Sequence, residues 1–287
     1  MVARNGLRMC LSFVCFLFLL FVGVSAATAA NITVSGTIVS QAGETDEPVP
    51  FARVSALDPN RVPIKETVCD DQGQFSLEVP DDVNMQFLVQ GPEGSELYVD
   101  TYSAFFLWKD VVVIWPDRAN DLWLSIITKA QAEAVIQELV ALGYNEGEIR
   151  SKGIVGGSVE ADDPVPGVKL EVMQGPNPAE CEIVFFDEDE TLNPDLEVTS
   201  SHGGFVIFNI PINTPPGSTD FSISATKEGY VFFFVPFVRV YPYQPSPEKV
   251  TIVPIEGFEA DDEDEDVLLD GGGGGGGCFI NTANSRP

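Results

Sequence analysis

The stretch CDDQGQFSLEVP at 69–80 is answered further along the chain by SSHGGFVIFNIP at 200–211. A turn ending in glycine and feeding a strand thus occurs twice, and the match runs outward on both sides. VSGTIVS (34–40) faces VGGSVEA (155–161), and PVPFARVSAL (48–57) faces PVPGVKLEVM (164–173). Gly73 pairs with Gly203 and Phe75 with Phe205, while Pro80 meets Pro211 only after a slip of one residue. NMQFLVQG (84–91) answers FSISATKEG (221–229), and AFFLWKDVVVIWP (104–116) answers VFFFVPFVRVYP (231–242). Each half closes on a final strand, DLWLSII (121–127) or KVTIVPI (249–255). Unrelated short strands rarely share one order of features, so the chain reads as two tandem copies of one domain of about a hundred residues, an ordinary size.

Each copy reads as all-β. Its segments are short, rich in Val, Ile and Phe, and separated by Gly, Pro, Asp and Asn at sandwich or barrel spacing. In GQFSLEVP, Phe75, Leu77 and Val79 fall on one face while Gln74, Ser76 and Glu78 fall on the other, as a half-buried strand requires. In GGFVIFNIP the alternation blurs, because Val206 and Phe208 are apolar too, which predicts a strand covered on both sides. Gly73 and Gly203 supply the positive φ that such tight turns need. Between the copies lies one helical pattern. Ala132, Val135, Ile136, Leu139 and Leu142 form a single apolar stripe, Thr128 with Gln131 makes a capping box, and Gly143 is a stop. A helix with such a stripe is expected to dock on one or both copies.

A small-residue opening strand, then PVPFARV, then TVCDDQGQFSLEVP resembles the carboxypeptidase regulatory-like domain of the transthyretin-like (prealbumin) superfamily. Asp70, Gly73 and Phe75 have the D-x-x-G-x-F spacing of that family's T-x-D-x-x-G-x-F hairpin, with Thr67 one residue further from Asp70 than the motif places it. In the second copy Thr199, Gly203 and Phe205 follow a looser version, with Ser200 or Ser201 where Asp would stand. The resemblance implies two tandem seven-stranded Greek-key β-sandwiches joined by one α-helix, serving as an accessory, stalk or binding element without catalysis. The expected organisation is a signal peptide at 1–30, a first sandwich at 31–127, a linker helix at 128–150, a second sandwich at 151–257 and a disordered tail at 258–287.

The expected signal peptide has Arg4 and Arg8 ahead of an apolar run from Leu11 to Val24. Small residues follow, so that cleavage would fall after Ala29 or Ala30. The alternative, an uncleaved anchor, meets a run that is short for a membrane span. The tail holds eight acids and no base over 259–270, then Gly271 to Gly277, then CFINTANSRP. Acidic and Gly-rich chain buries too little apolar surface to fold and forms a self-repelling spacer. The glycines followed by Cys278-Phe279-Ile280 resemble the CFI-box sorting signals of some bacterial exported proteins, without the apolar helix and basic cluster that complete them. That resemblance marks Cys278 as a processing or attachment point, with any membrane association through a terminal anchor.

With 44 acids against 15 bases the net charge is −29, which argues against nucleic acid as a partner, because such affinity rests on Lys and Arg neutralising phosphates. The acidic loop FDEDETLNPD places Asp187, Asp189 and Asp195 as candidate Ca²⁺ ligands, weighed against a merely solvated loop. Tyr241 and Tyr243, beside prolines at the end of an aromatic run, are the candidate exposed contacts for a ligand. His202, the one histidine, has Gln72 as its counterpart and reads as a turn residue rather than a base. Cys69 and Cys181 are open to pairing or to standing as independent small hydrophobes. These readings predict an exported bacterial protein, extracellular, at the cell surface or periplasmic. Its expected role is a non-enzymatic structural or binding module engaging a surface polymer or protein. The alternatives are a Ca²⁺-dependent adhesion module and accessory domains of a secreted hydrolase system.

Overall fold

The computed structural model describes residues 31–41, 46–107, 122–161, 163–212, 220–232, 235–244 and 248–260. Ala29, Ala30 and Cys278 lie outside the described residues. The first half forms β1 (Asn31–Gln41), β2 (Asp46–Pro48), β3 (Arg53–Leu57), β4 (Pro63–Val68), β5 (Gln74–Pro80), β6 (Asn84–Gln90), β7 (Asp100–Leu107) and β8 (Leu122–Ser125). One layer centres on β1, flanked by antiparallel β2 and β5 and by parallel β8; the other runs β4-β3-β6-β7. Phe75, Leu77 and Val79 of β5 point inward while the residues between them stay exposed. They pack with Val34, Ile38, Val54, Phe87 and Val89 in one core, whose apolar burial drives closure of the layers.

Two helices follow, α1 (Lys129–Ala141) and α2 (Glu146–Ser151), where the sequence reading expects one. The short second helix has its own cap, Asn145 accepting from Glu148 N–H at 3.0 Å. The Thr128/Gln131 capping box forms in both directions, and Gly143 terminates the first helix at φ 100°. Ala132, Ile136 and Leu139 of the predicted stripe are buried, but Leu142 is 38% exposed, because the chain turns away at that point.

The second half supplies β9 (Gly153–Ala161), β10 (Asp163–Pro164), β11 (Lys169–Gln174), β12 (Asn177–Pro178), β13 (Glu182–Phe186), β14 (Leu192–Asn193) and β15 (Gly204–Ile210). It continues with β16 (Asp220–Thr226), β17 (Tyr230–Phe232), β18 (Val235–Arg239), β19 (Lys249–Ile252) and β20 (Ile255–Glu259). One layer is β12-β11-β16-β18 and the other contains β14-β13-β15-β9-β19, with β20 also on β9. As the blurred alternation predicts, β15 is covered on both faces. Phe205 and Ile207 lie in the sandwich core, while Val206 and Phe208 pack under the helices with Ile136, Leu139 and Ile149.

The two halves share several backbone hydrogen bonds at the positions the sequence alignment pairs. Ile38 N–H donates to Gly73 O, and Val159 N–H to Gly203 O. Val49 N–H donates to Ile38 O, and Val165 N–H to Val159 O. Gly73 and Gly203 sit at φ 73° and 70°. The slip before the second proline is a β-bulge: pairing of β15 with β9 shifts between Ile207 and Ile210, with Asn209 at φ 57°. The hairpin motif is registered differently from the sequence reading, however. Cys69 N–H donates to Ala52 O as Thr199 N–H donates to Val168 O, so Cys69 rather than Thr67 is the counterpart of Thr199. The halves also differ in their strands: among the described residues the first has eight and the second twelve, and β4 joins the sheet of β3 whereas β13 joins that of β15.

In the first turn Asp70 Oδ1 accepts from the N–H groups of Gln72 and Gln74 at 2.9 and 2.8 Å. Ser200 holds the equivalent place, its Oγ accepting from His202 N–H at 3.1 Å. Replacing Asp70 by alanine leaves both amides to solvent and is expected to cost about 1 kcal/mol, read as a shift of the urea midpoint at constant slope. Asp70→Asn, which keeps an acceptor, is expected to lose clearly less.

Candidate functional site

The two sandwiches share one sheet. Strand β19 lies between them, its Lys249, Val250 and Thr251 opposite Asp100, Thr101 and Tyr102 of β7, and its Thr251 and Ile252 opposite Val155 and Gly156 of β9. Both pairings are parallel, and Asp100 N–H donates to Glu248 O at 2.8 Å just ahead of the strip. The sheet therefore runs from β14 in the second half to β4 in the first without a break.

Around this seam aromatic and polar side chains close the junction. Tyr241 stacks on Tyr102 with ring centroids 4.0 Å apart, and its hydroxyl donates to Gln86 Oε1 at 3.0 Å. Gln86 is itself fully buried, and its Nε2 donates to Ser103 O at 2.6 Å. The Arg61 guanidinium lies 4.5 Å from the Tyr241 ring centre, a cation–π distance. Arg61 reaches this place from the β3–β4 turn at φ 68°, next to Asp58, whose carboxylate accepts from Asn60 and Val62 N–H at 2.8 Å each. Burial, and next the neighbouring Tyr241 and Asp100, push the Tyr102 hydroxyl well above its usual range.

A second polar centre ties the helices to the chain leading into β19. Arg150 donates to both Glu133 oxygens at 2.7 and 2.6 Å and to Glu146 Oε1 at 2.9 Å. Tyr243, fully buried, donates its hydroxyl to Glu133 Oε1 at 3.0 Å. The paired arginine holds the Glu133 carboxyl below the usual carboxylate range, and the Tyr243 hydroxyl adds to the effect. A depressed carboxylate stabilises above its unfolded value near 4.5 and loses that contribution as pH falls through the folded one. Glu133→Gln is therefore expected to flatten the acid limb of the stability profile below that pH. The effect should be about 1 kcal/mol or less, because Glu133 is partly solvent-screened.

Tyr241 and Tyr243, expected as exposed ligand contacts, are instead 5% and 0% exposed. The chain beyond β18 crosses the junction rather than leaving the fold, so both rings become interior. Asp187 closes its own turn: its oxygens accept from Asp189 N–H, Thr191 N–H and Thr191 Oγ1 at 3.0, 3.1 and 2.9 Å. The Thr191 bonds are the main reason its carboxyl lies below the usual range. Asp189 and Asp195 are exposed in the same loop, and among the described residues no three acidic, His or Cys side chains gather closely enough to hold a metal. His202 Nε2 stands 3.8 Å from Glu190 at the surface, while Ser200 Oγ donates to Phe186 O at 2.6 Å. The Ser200 hydroxyl proton is thereby given to the Phe186 carbonyl rather than to the imidazole. Cys69 and Cys181 are both free thiols, each raised to about 11, first by burial and then by Asp70 or Glu182 beside it. An open groove by the seam, edged by Arg53, Gln90, Tyr98, Asp100 and Lys129, carries charges of both signs.

The residues that build the junction include several the sequence reading passed over. Gln86 carried a signal, being a polar side chain in the midst of the apolar strand NMQFLVQ. Arg61, Glu133 and Arg150 carried none, since charged residues in turns and on helices are ordinarily solvated.

No protein-family model and no curated protein matches the chain. Among solved structures it is similar to shaft pilin SpaA from Lactobacillus rhamnosus GG, at 10% identity and TM-score 0.25, over 81% of this chain and 99% of that one. A minor pilin from Streptococcus agalactiae matches at 14% and 0.26, over 79% and 97%. A single B repeat unit of the collagen-binding surface protein of Staphylococcus aureus matches at 8% and 0.23, over 81% and 100%. Scores this low establish neither partner nor activity.

Proposed function

We propose that the chain is an exported, non-enzymatic structural or adhesion module of a cell envelope or surface, engaging a polymer or protein partner with the outer faces of its fused sandwiches. The observation that carries this reading is the seam: one strand, β19, is hydrogen-bonded to both halves, which favours a stiff unit over two independently hinged domains. The signal-like residues 1–30 and the acidic, Gly-rich residues 259–277 support export and a spacer role. Assignment of both sandwiches to the transthyretin-like superfamily, and of Cys278 to a sorting signal, belongs to the same proposal. The shifted groups support a structural role as well, since Glu133 accepts from both Arg150 and Tyr243 and Asp187 caps its own turn.

The test is intact mass and whole-cell surface labelling of the natively exported protein, followed by pull-down and glycan-array binding. Expected are loss of residues up to Ala29 or Ala30, surface labelling, and capture of a polymer or protein. Retention inside the cell, or turnover of a captured polymer, overturns the reading. A binding signal that disappears on chelation would instead identify the cation-dependent adhesion module.

A further inference from the structure

We infer that each sandwich is a shear clamp, so that the chain is built to carry tension along its length. In both halves the first strand lies beside a late strand and parallel to it. In the first half β1 pairs with β8, Gly36 opposite Leu122 through Val39 opposite Ser125, extended by Ile126 N–H donating to Val39 O at 2.8 Å. In the second half β9 pairs with β19 at Val155 and Gly156 and with β20 at Val159 and Glu160, joined by Val253 N–H donating to Gly156 O at 2.9 Å.

Direction decides how such a strip fails. When force enters at the start of one strand and leaves at the end of its parallel neighbour, the two slide along their common axis and all the bonds between them are loaded together. An antiparallel pair pulled from its adjacent ends opens one bond at a time. Both clamps are closely fitted, because a Cβ on Gly36 would collide with Leu122 O and one on Gly157 with Val253 O. The β19–β7 strip, also parallel, transmits a pull from the C-terminal side to the first sandwich as well. This inference concerns the folded chain itself and does not depend on where the protein resides or what it binds.

The test is single-molecule force spectroscopy on the full chain, with bio-orthogonal handles replacing Asn31 and Ala260 in one version and Asn31 and Pro80 in another. The second pair are direct partners at the end of the antiparallel β1–β5 ladder, which that geometry unzips. Bulk denaturant midpoints of the two versions serve to match their equilibrium stability. The expected result is an unfolding force higher by roughly twofold or more for the Asn31/Ala260 pull, since its bonds must break together. Equal forces in the two directions, or a weaker Asn31/Ala260 pull, would overturn the clamp while leaving surface location and binding to be judged by their own assays.

Discussion

Gly157→Val is expected to destabilise the protein by about 3 kcal/mol or more, the range of severe overpacking in a closed core. A side chain at this position would meet the Val253 carbonyl on one side and the Phe205 ring on the other, with Phe205 Cζ only 2.5 Å from the added carbon. Phe205 is fully buried and opposes Gly157 in the β9–β15 ladder, so the ring has nowhere to go. The backbone carbonyl is no freer, because Val253 N–H is bonded to Gly156. Denaturant titration of Gly157→Val beside Gly156→Ala provides the check. The neighbour of Gly156 is the flexible end of Ile252 at 3.3 Å, and its substitution should cost about 1 kcal/mol or less. Similar midpoints for the two variants would refute this account of the opening strand.

Tyr241→Ala should cost about 3–5 kcal/mol, the range for deleting a buried aromatic ring, and should split a single thermal transition into two. The substitution removes the stack on Tyr102, the surface under Arg61, and the donor to Gln86 Oε1. The contacts that remain across the junction include the short β19–β7 strip with the Asp100–Glu248 backbone bond, the Lys129–Glu248 ion pair at 3.4 Å, the Tyr243–Glu133 hydrogen bond, and the packing of α1 on Val99 and Val250. Tyr241→Phe isolates the hydrogen bond: ring and stack remain, one buried acceptor is orphaned, and about 1–2 kcal/mol is lost with the single transition preserved. Differential scanning calorimetry distinguishes these outcomes. One undivided transition for Tyr241→Ala at unchanged midpoint would show that the tyrosine stack does not couple the halves.

Turns, helix and strand faces were legible because their causes are local. Gly73 and Gly203 announce positive φ, Thr128 and Gln131 announce a cap, and Phe75, Leu77 and Val79 announce an inward face by their spacing alone. Even the double coverage of β15 could be read, since Val206 and Phe208 interrupt an alternation that a half-exposed strand would keep. The short second helix has no legible signal, because six residues hold too little apolar periodicity to stand out from a loop. Tyr241 and Tyr243 were misplaced for a related reason: prolines beside an aromatic run look like a strand's exit, and nothing nearby announces that the chain goes on to cross a second domain.

By itself, then, the sequence determined that the chain is all-β, where the turns at Gly73 and Gly203 fall, and where the first helix begins. These features depend on periodicity and on the stereochemistry of single residues, which neighbours in the chain reveal. Tertiary structure alone decided that the copies form one continuous sheet through β19, and that Tyr241, Gln86, Arg61 and Tyr102 meet there. The four residues that make up β19 read as a strand in either setting. Its two partners come from β7 and β9, brought together only when both sandwiches have closed, and pairing between strands so distant in sequence leaves no periodic trace in any of them.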